Sequence, residues 1–337
     1  MRFKNILYAA VAAMALTACS SDDEQQGFVS QFPEDGVMRF TTNLVDPTIG
    51  TTRASITSND LNQAYQQFQV KIFNPASATY CYFNTVQHDG TEWTPVNRML
   101  WQNNQQRIDV TAAYKQGKTF SDYDFVNGAN LTVAADQSEQ AKLNAQDLLT
   151  MPTKTIANPS TETTLLSGGK LVINFYHALT KLDVTLELKD EFFGAGLNHA
   201  TDITEVKISG TNLGYSFLPM TTANTNYGTV TPAATAVAGD ILPMQGTFTA
   251  ATAASKHSFA TYESIVVPQT IAAGALTVSF KIGTRSFSWT NTEAYTLEQG
   301  KKYTLPLTVG NNAVTAGSRA FTASSWENGD GGNLGTE

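Results

Sequence analysis

Short runs of alternating apolar and polar residues are the main pattern in this chain. In Leu182–Leu188 every second residue is apolar, so one row of side chains faces a core and the other faces water. Similar runs, separated by turn-forming residues, predict an all-β fold. The predicted strands are Val37–Val45, Phe68–Phe73, Thr79–Val86, Arg107–Ala112, Leu171–Phe175, Leu182–Leu188, Glu205–Ser209, Ser264–Val267, Leu276–Ile282, Ser286–Thr290 and Lys302–Val309.

Few segments depart from this pattern. Asp89-Gly90 separates two strand-like runs, and Asp-Gly favours the positive φ angles of a two-residue hairpin turn. Helical spacing occurs in Ser58–Gln67, with Ser58 or Asn59 as the cap, and in Ser138–Leu149. Two short helices within an all-β chain do not change its class.

Length and one polar stretch predict two domains. About 300 residues follow position 35 of the 337, which is enough for two ordinary domains. Met151–Ser167 is polar and contains two prolines, so we interpret it as a connection that ends near Gly168-Gly169. The predicted domains are 37–168 and 169–326, followed by a flexible tail at 327–337.

The N-terminus has the pattern of an export signal. A basic start is followed by the short apolar run Ile6–Ala15 and by Leu16-Thr17-Ala18-Cys19. A run this short is typical of a cleaved secretory segment and not of a spanning helix. Residues 1–18 are therefore predicted to be removed. Cys19 resembles the lipid-bearing cysteine of a bacterial lipobox, and the alternative is an ordinary signal peptide with an incidental cysteine.

The segment behind Cys19 is acidic. Ser20-Ser21-Asp22-Asp23-Glu24 resembles the surface-export signal of Bacteroidetes lipoproteins, and residues 19–36 are also predicted to be a disordered spacer. These features predict a surface-exposed protein of the cell outer membrane, held there by a lipid anchor on Cys19.

Charge and cysteine content exclude a nucleic-acid-binding protein and a disulfide-stabilised fold. The net charge is −8 and the isoelectric point is near 5.0, and no segment has the excess of Lys and Arg that nucleic-acid binding needs. Of the two cysteines, Cys81 has no partner once Cys19 carries lipid, which excludes a disulfide framework. Cys81 lies in an aromatic strand-like stretch, where we expect it to be a small core residue.

No motif of catalysis or metal binding is present in the sequence. The four histidines are scattered, without metal-ligand spacing, and nucleophile elbows, P-loops and dinucleotide fingerprints do not occur. We therefore predict no enzyme activity, no cofactor and no metal site. The four tryptophans leave one alternative open, a surface glycan-binding lipoprotein of an outer-membrane uptake system, although aromatic residues in strands are more often core.

Five local motifs occur in one order along the chain. In that order, and behind the lipobox, the chain resembles the fimbrillin family of Bacteroidetes, the FimA/Mfa-like pilus and fimbria subunits, and the resemblance covers most of the chain from about residue 37 to 326. The motifs are Thr51-Thr52-Arg53-Ala54-Ser55, Asp147-Leu148-Leu149, Asn174-Phe175-Tyr176-His177-Ala178-Leu179-Thr180-Lys181-Leu182, Val266-Val267-Pro268-Gln269-Thr270 and Leu297-Glu298-Gln299-Gly300-Lys301-Lys302-Tyr303-Thr304.

The resemblance implies two tandem transthyretin-like β-sandwich domains and a structural, non-enzymatic role in a fimbrium. It also implies that an Arg-specific protease removes the first strand and that a strand of another fimbrial subunit fills the groove. Arg53 matches the cleavage position, with Ala54 as the new N-terminus. The pattern of 37–45 agrees, because Met38, Phe40 and Leu44 share one side of a strand. The alternative is that Arg53 is an exposed loop residue that is never cut.

The C-terminus departs from the pattern expected of a donor strand. In Ser318–Trp326 the only large apolar residues are Phe321 and Trp326, which lie on opposite faces of a regular strand. A segment with so few apolar side chains fills a long groove poorly. The sequence therefore favours a tip, accessory or anchor subunit that accepts a strand over one that donates a strong one.

Overall fold

The computed structural model describes residues 30–45, 56–220, 227–316 and 321–326. Regular structure in these residues is mostly β strand, and the α-helices have at most six residues. The predicted all-β class is confirmed. No helix within the described ranges is long and apolar enough to cross a membrane.

The elements follow one another in a strand-rich order. The strands are β1 (Phe40–Leu44), β2 (Gln67–Phe73), β3 (Tyr82–His88), β4 (Trp93–Pro95), β5 (Ile108–Lys115), β6 (Ala129–Thr132), β7 (Leu148–Ile156), β8 (Leu166–Ser167), β9 (Lys170–His177), β10 (Thr180–Leu188), β11 (Ile203–Ser209), β12 (Gly214–Leu218), β13 (Thr229–Pro232), β14 (Met244–Thr249), β15 (Ser258–Val266), β16 (Thr270–Ile271), β17 (Thr277–Ile282), β18 (Arg285–Thr290), β19 (Tyr295–Thr296), β20 (Lys301–Val309), β21 (Val314–Ala316) and β22 (Thr322–Ser325). The α-helices are α1 (Ser58–Leu61), α2 (Asp122–Asn127), α3 (Gln140–Asn144) and α4 (Asp190–Gly194).

An eight-stranded sheet forms the N-terminal half. Its order is β1-β4-β3-β2-β5-β7-β9-β8, and β1 also pairs with β9. This extra pairing joins the first strand of that order to β9 and closes seven of the eight strands into a ring, which we call the barrel sheet (β1, β4, β3, β2, β5, β7 and β9). Its interior is filled by alternate residues of each strand, such as Val70 on β2 and Ile173 on β9, both with 0% exposure. Closure matters because a closed sheet has no unpaired edge.

The C-terminal half is a two-layered structure, which we call the C-terminal sandwich. One layer has the order β14-β15-β10-β20-β21, with β22 also paired to β20, and the other is β11-β17-β18. The alternation predicted for Leu182–Leu188 is confirmed, since Leu182, Val184 and Leu186 are buried in the core between the layers.

A third core joins the two halves. It contains Phe120 from the N-terminal half, whose ring lies 5.9 Å from the ring of Phe217 on β12. Gln137, which is fully buried, binds both backbone groups of Ile265 at 2.8 and 2.9 Å. A buried amide with both its oxygen and its nitrogen satisfied specifies one arrangement of the surfaces that it joins.

The predicted domain division remains a prediction. Gly168 and Gly169, at the predicted boundary, have φ angles of +55° and +75° and form the two-residue turn between β8 and β9, as a type I′ hairpin requires. Part of the predicted spacer is described: the Gly36 N–H donates to Pro33 O at 3.0 Å, and the Gly168 N–H donates to the Gln31 side chain at 2.8 Å.

Three local predictions need correction. The stretch Met151–Ser167 is not all connection, because residues up to Ile156 continue β7 inside the barrel sheet. Its threonines are β-branched and fit a strand as well as a loop. Helices α1 and α3 are shorter than predicted, since α1 ends at Leu61 and α3 at Asn144.

The hairpin predicted at Asp89-Gly90 is confirmed, with a longer turn. β3 and β4 pair up to His88 and Trp93, so the turn has the four residues between them. The Asp89 carboxylate accepts the N–H groups of Thr91 and Glu92 at 2.7 and 2.9 Å. This side-chain capping favours the wider turn over the two-residue form.

Candidate functional site

The candidate site is the position of β1 in the barrel sheet. β1 runs parallel to β9 with five residues in register, from Phe40 opposite Leu171 to Leu44 opposite Phe175. On its other edge β1 meets β4 at one residue pair, Phe40 opposite Trp93. The first strand of the described chain therefore closes the barrel through one complete ladder and one short contact.

One face of this strand carries the apolar side chains predicted from the sequence. Met38, Phe40 and Leu44 have 1, 1 and 4% of their surface exposed. The Phe40 ring lies 6.2 Å from the Phe68 ring in an edge-to-face arrangement, and Phe68 in turn contacts Trp93 at 4.9 Å. Taking β1 away would expose this aromatic core along the length of β9.

Both ends of the strand are tied to the barrel by backbone hydrogen bonds. The Met38 N–H donates to Met99 O at 3.0 Å, and the Val45 N–H donates to Phe175 O at 2.9 Å. These bonds use backbone atoms only, so another extended segment could make them in place of this one.

Polar groups line the edge of β1 that faces β4. Thr42 donates its hydroxyl to Asn62 at 2.9 Å and accepts the indole N–H of Trp93 at 3.1 Å. A cavity of about 330 Å³, lined mainly by polar residues including Glu92 and Lys170, opens beside the strand. On this edge β1 is therefore held by the Thr42 side chain and one residue pair with β4, next to open space, whereas the β9 edge has a complete ladder.

The C-terminal strand is seated on the C-terminal sandwich. β22 pairs antiparallel with β20, and β21 pairs with the far end of the same strand. The Phe321 ring stacks on Tyr295 and Tyr303 at 4.3 and 5.1 Å, whereas Trp326 is buried in the third core, which joins the two halves. The two aromatic residues thus face different cores, as the sequence predicts.

The three site residues predicted from the sequence fall outside the described part of the chain. Cys19 lies in 1–29, and Arg53 and Ala54 lie in 46–55. The chain is described up to Val45, just past β1, and again from Ile56, just before α1. Lipidation and cleavage at these positions therefore stay predictions.

The described residues bring together no group of three or more His, Cys, Asp or Glu side chains that could hold a metal ion. Cys81 is free and lies just before β3. The prediction that it is a core residue is wrong, because its side chain is only half-buried. Its sulfur accepts the Asn74 N–H at 3.2 Å, a contact that holds it at the end of a turn.

All four tryptophans are buried. Trp93, Trp101, Trp289 and Trp326 have 5, 5, 8 and 4% of their surface exposed. An aromatic platform for sugars needs ring faces open to solvent. The glycan-binding alternative therefore gains no support from these side chains.

Sequence reasoning missed one buried polar pair. His177, at the end of β9, lies 2.9 Å from the carboxylate of Asp147, and both side chains are at most 4% exposed. Both residues occur in the quoted motifs, but their 30-residue separation hides a pairing that only the fold creates.

Comparison with known proteins identifies relatives of the same architecture. The model of the fimbrillin-like family matches residues 52–326. A candidate cell adhesion protein from Bacteroides uniformis superposes with a TM-score of 0.56 at 17% identity, covering 87% of this chain and 99% of its own. One from Bacteroides ovatus gives 0.56 at 16% identity, covering 86% and 96%.

A third solved structure, the C-terminally truncated tip fimbrial protein Mfa3 from Porphyromonas gingivalis, gives a TM-score of 0.43 at 9% identity and covers 82% of this chain and 97% of its own. The chain has no match among the curated proteins. The family match covers most of the sequence and both halves of the fold, and this chain belongs to the fimbrillin-like family of structural, non-enzymatic proteins of cell-surface fimbriae.

Proposed function

We propose that this protein is a fimbrial subunit that is exported as a lipoprotein through Cys19, cut after Arg53 and assembled by strand exchange at the position of β1. Its partners are an Arg-specific protease during maturation and other fimbrial subunits in the assembled fimbrium, which supports adhesion. The lipid on Cys19 holds the precursor at the outer membrane until the cut.

The observation that carries this proposal is the placement of β1 as the closing strand. Arg53 follows β1 and precedes α1 in the chain, so a cut there separates β1 covalently from all later elements. Loss of β1 leaves β9 with an open edge from Leu171 to Phe175 and empties the slots of Phe40 and Leu44. An exposed edge beside an apolar groove is a template for a strand from another chain.

The same geometry gives the driving force for assembly. A strand placed in register on β9 regains the parallel ladder of backbone hydrogen bonds, and apolar side chains at alternate positions refill the groove. Burying a side chain of the size of Phe or Leu is worth about 1.5–3 kcal/mol. A partner with two or more such residues at alternate positions therefore gains several kcal/mol over an empty groove.

The C-terminal strand supports an accepting role over a donating one. β22 is paired to β20 of its own chain, with Phe321 and Trp326 packed in place. To donate this segment the subunit would have to break those contacts, and the segment offers few apolar residues in return. This supports the assignment to a tip, accessory or anchor position.

N-terminal sequencing and intact mass of the protein from the native cell surface test the proposal. A chain that begins at Ala54 in assembled fimbriae is the expected result. If all surface material begins at a lipidated Cys19, cleavage and strand exchange at β1 are both refuted. An Arg53→Lys variant, which an Arg-specific protease does not cut, should remain lipidated and unassembled, and Arg39→Lys is the matched control because Arg39 lies ahead of β1.

A further inference from the structure

The buried pair of Asp147 and His177 lies between the two halves of the molecule. The Nδ1 atom of His177 lies 2.9 and 3.0 Å from the two carboxylate oxygens of Asp147. Asp147 is fully buried and His177 is 4% exposed. A buried carboxylate is costly unless it is paired and hydrogen-bonded. The groups that contact this pair are therefore placed by the positions of the Asp147 carboxylate and the His177 ring.

One group bound to the pair belongs to the chain just behind Arg53. The backbone N–H of Ile56 donates to Asp147 Oδ2 at 3.2 Å. The Ile56 side chain is 2% exposed and lies in the barrel core. The carboxylate therefore fixes the point at which the chain, three residues after Arg53, enters the barrel.

The other contact of the pair is with the C-terminal strand. The rings of His177 and Trp326 are stacked, with centroids 4.5 Å apart and planes inclined by 1°. The backbone N–H of Trp326 donates to Gly300 O at 3.0 Å, and the backbone N–H of Gly300 donates to Leu179 O at 2.9 Å. These two hydrogen bonds link the end of β22 to the turn that follows His177.

The negative charge of the carboxylate acts on three neighbouring groups, Lys115, Tyr114 and Tyr215. Burial lowers the pKa of Lys115 to about 8, and the negative charge of Asp147 opposes that shift. Burial and the same charge raise the pKa of Tyr114 and of Tyr215. His177 Nε2 has no hydrogen-bond partner among the described residues. The contact between Nδ1 and Asp147 therefore orients the imidazole ring.

We propose that the Asp147–His177 pair couples the chain behind Arg53 to the seating of the C-terminal strand. Asp147 holds the Ile56 N–H and the imidazole together, and the oriented imidazole holds the indole of Trp326. A change at either end alters the contact made at the other. The inference rests on the function proposed above, because a cut after Arg53 makes Ile56 the third residue of the mature chain.

Coupling of this kind is reciprocal. If a seated Trp326 stabilises the Ile56–Asp147 bond, then an intact Ile56–Asp147 bond stabilises the seating of Trp326 by the same free energy. Couplings between distinct sites change the equilibria by about 5-fold to 150-fold. The pair acts by positioning and carries out no chemistry.

Hydrogen exchange in the uncleaved full chain tests the coupling without protease or partner. Trp326→Ala removes the ring that stacks on His177, and Phe321→Ala is the matched control because it unseats the same strand on the face away from His177. We expect Trp326→Ala to raise exchange at the Ile56 amide at least about fivefold, with Phe321→Ala leaving it unchanged. Equal effects of the two variants overturn the proposal.

A second variant separates coupling from general destabilisation. His177→Phe keeps a ring beside Trp326 and removes the bond to Asp147, so exchange at Ile56 should rise. Adding Trp326→Ala to this variant should raise exchange at Ile56 no further. A further rise, or a parallel rise in the amides of the β10–β15 ladder, overturns the coupling.

The outcome is independent of the test for the proposed function. Coupling in the uncleaved chain together with a native N-terminus at Cys19 would keep the inference and refute maturation at Arg53. A native start at Ala54 without coupling would do the reverse.

Discussion

Truncation of Phe40 measures how firmly β1 closes the barrel. Phe40→Ala removes a ring that is 1% exposed and packs against Phe68 at 6.2 Å. Removing a buried Phe side chain costs about 3–5 kcal/mol, from lost burial and from the cavity that remains. Because whole domains are stable by only about 5–15 kcal/mol, we expect the urea midpoint of the uncleaved chain to fall sharply.

The control for this experiment lies on the same strand. Asn43 is exposed, and its side chain donates to Asn174 at 3.2 Å on the outer face. Asn43→Ala should change the free energy of unfolding by less than about 0.5 kcal/mol, as surface substitutions usually do. Both variants are measured by urea denaturation followed by circular dichroism.

The form that lacks β1 supplies the decisive comparison. In a chain that begins at Ala54, Phe40 is absent and the barrel should lose stability by at least as much as the Phe40→Ala variant does. A peptide that covers residues 36–45 should restore most of that loss, and the same peptide with Phe40→Ala should restore less. If Phe40→Ala lowers the free energy of unfolding no more than Asn43→Ala does, β1 is not part of the core and its loss opens no apolar groove.

Three further results are expected. Gly210→Ala should lower the free energy of unfolding by about 3 kcal/mol or more, since a Cβ there would lie 1.8 Å from Ala275 O at a φ of +92°. Its control is Gly36→Ala, at a φ of +64° with open space around it, which should lower that free energy by only about 1–2 kcal/mol in the same urea titration. Burial lowers the pKa of Lys115 from 10.5 to about 8. Between these two pH values the Lys115 amine is protonated in the unfolded chain and deprotonated in the folded chain. Stability should therefore rise with pH across that window by at most about 3 kcal/mol, and a Lys115→Met variant that keeps the full rise would contradict this. Intrinsic tryptophan fluorescence should not change during titration with polysaccharides, because all four tryptophans are at most 8% exposed; a saturable change would reopen the glycan-binding alternative.

Local pattern was sufficient to predict much of the candidate site. The apolar side of β1, formed by Met38, Phe40 and Leu44, follows from a period of two residues, which is a property of the strand itself. The opposite orientation of Phe321 and Trp326 follows from the same rule. The lengths of α1 and α3 were predicted less well, because tertiary packing decides where a marginal helix stops.

The sequence by itself determined that the chain is all-β, because alternation, turn residues and strand-forming side chains act over a few neighbouring residues. Only the tertiary structure decided that β1 runs parallel to β9, 131 residues further on at Asn43 and Asn174, and that Asp147 meets His177. Many strands of equal pattern could pair with one another, so the partners are selected by the shared burial of whole faces and by loop closure. These are properties of the assembled fold and leave no mark within a local window of sequence.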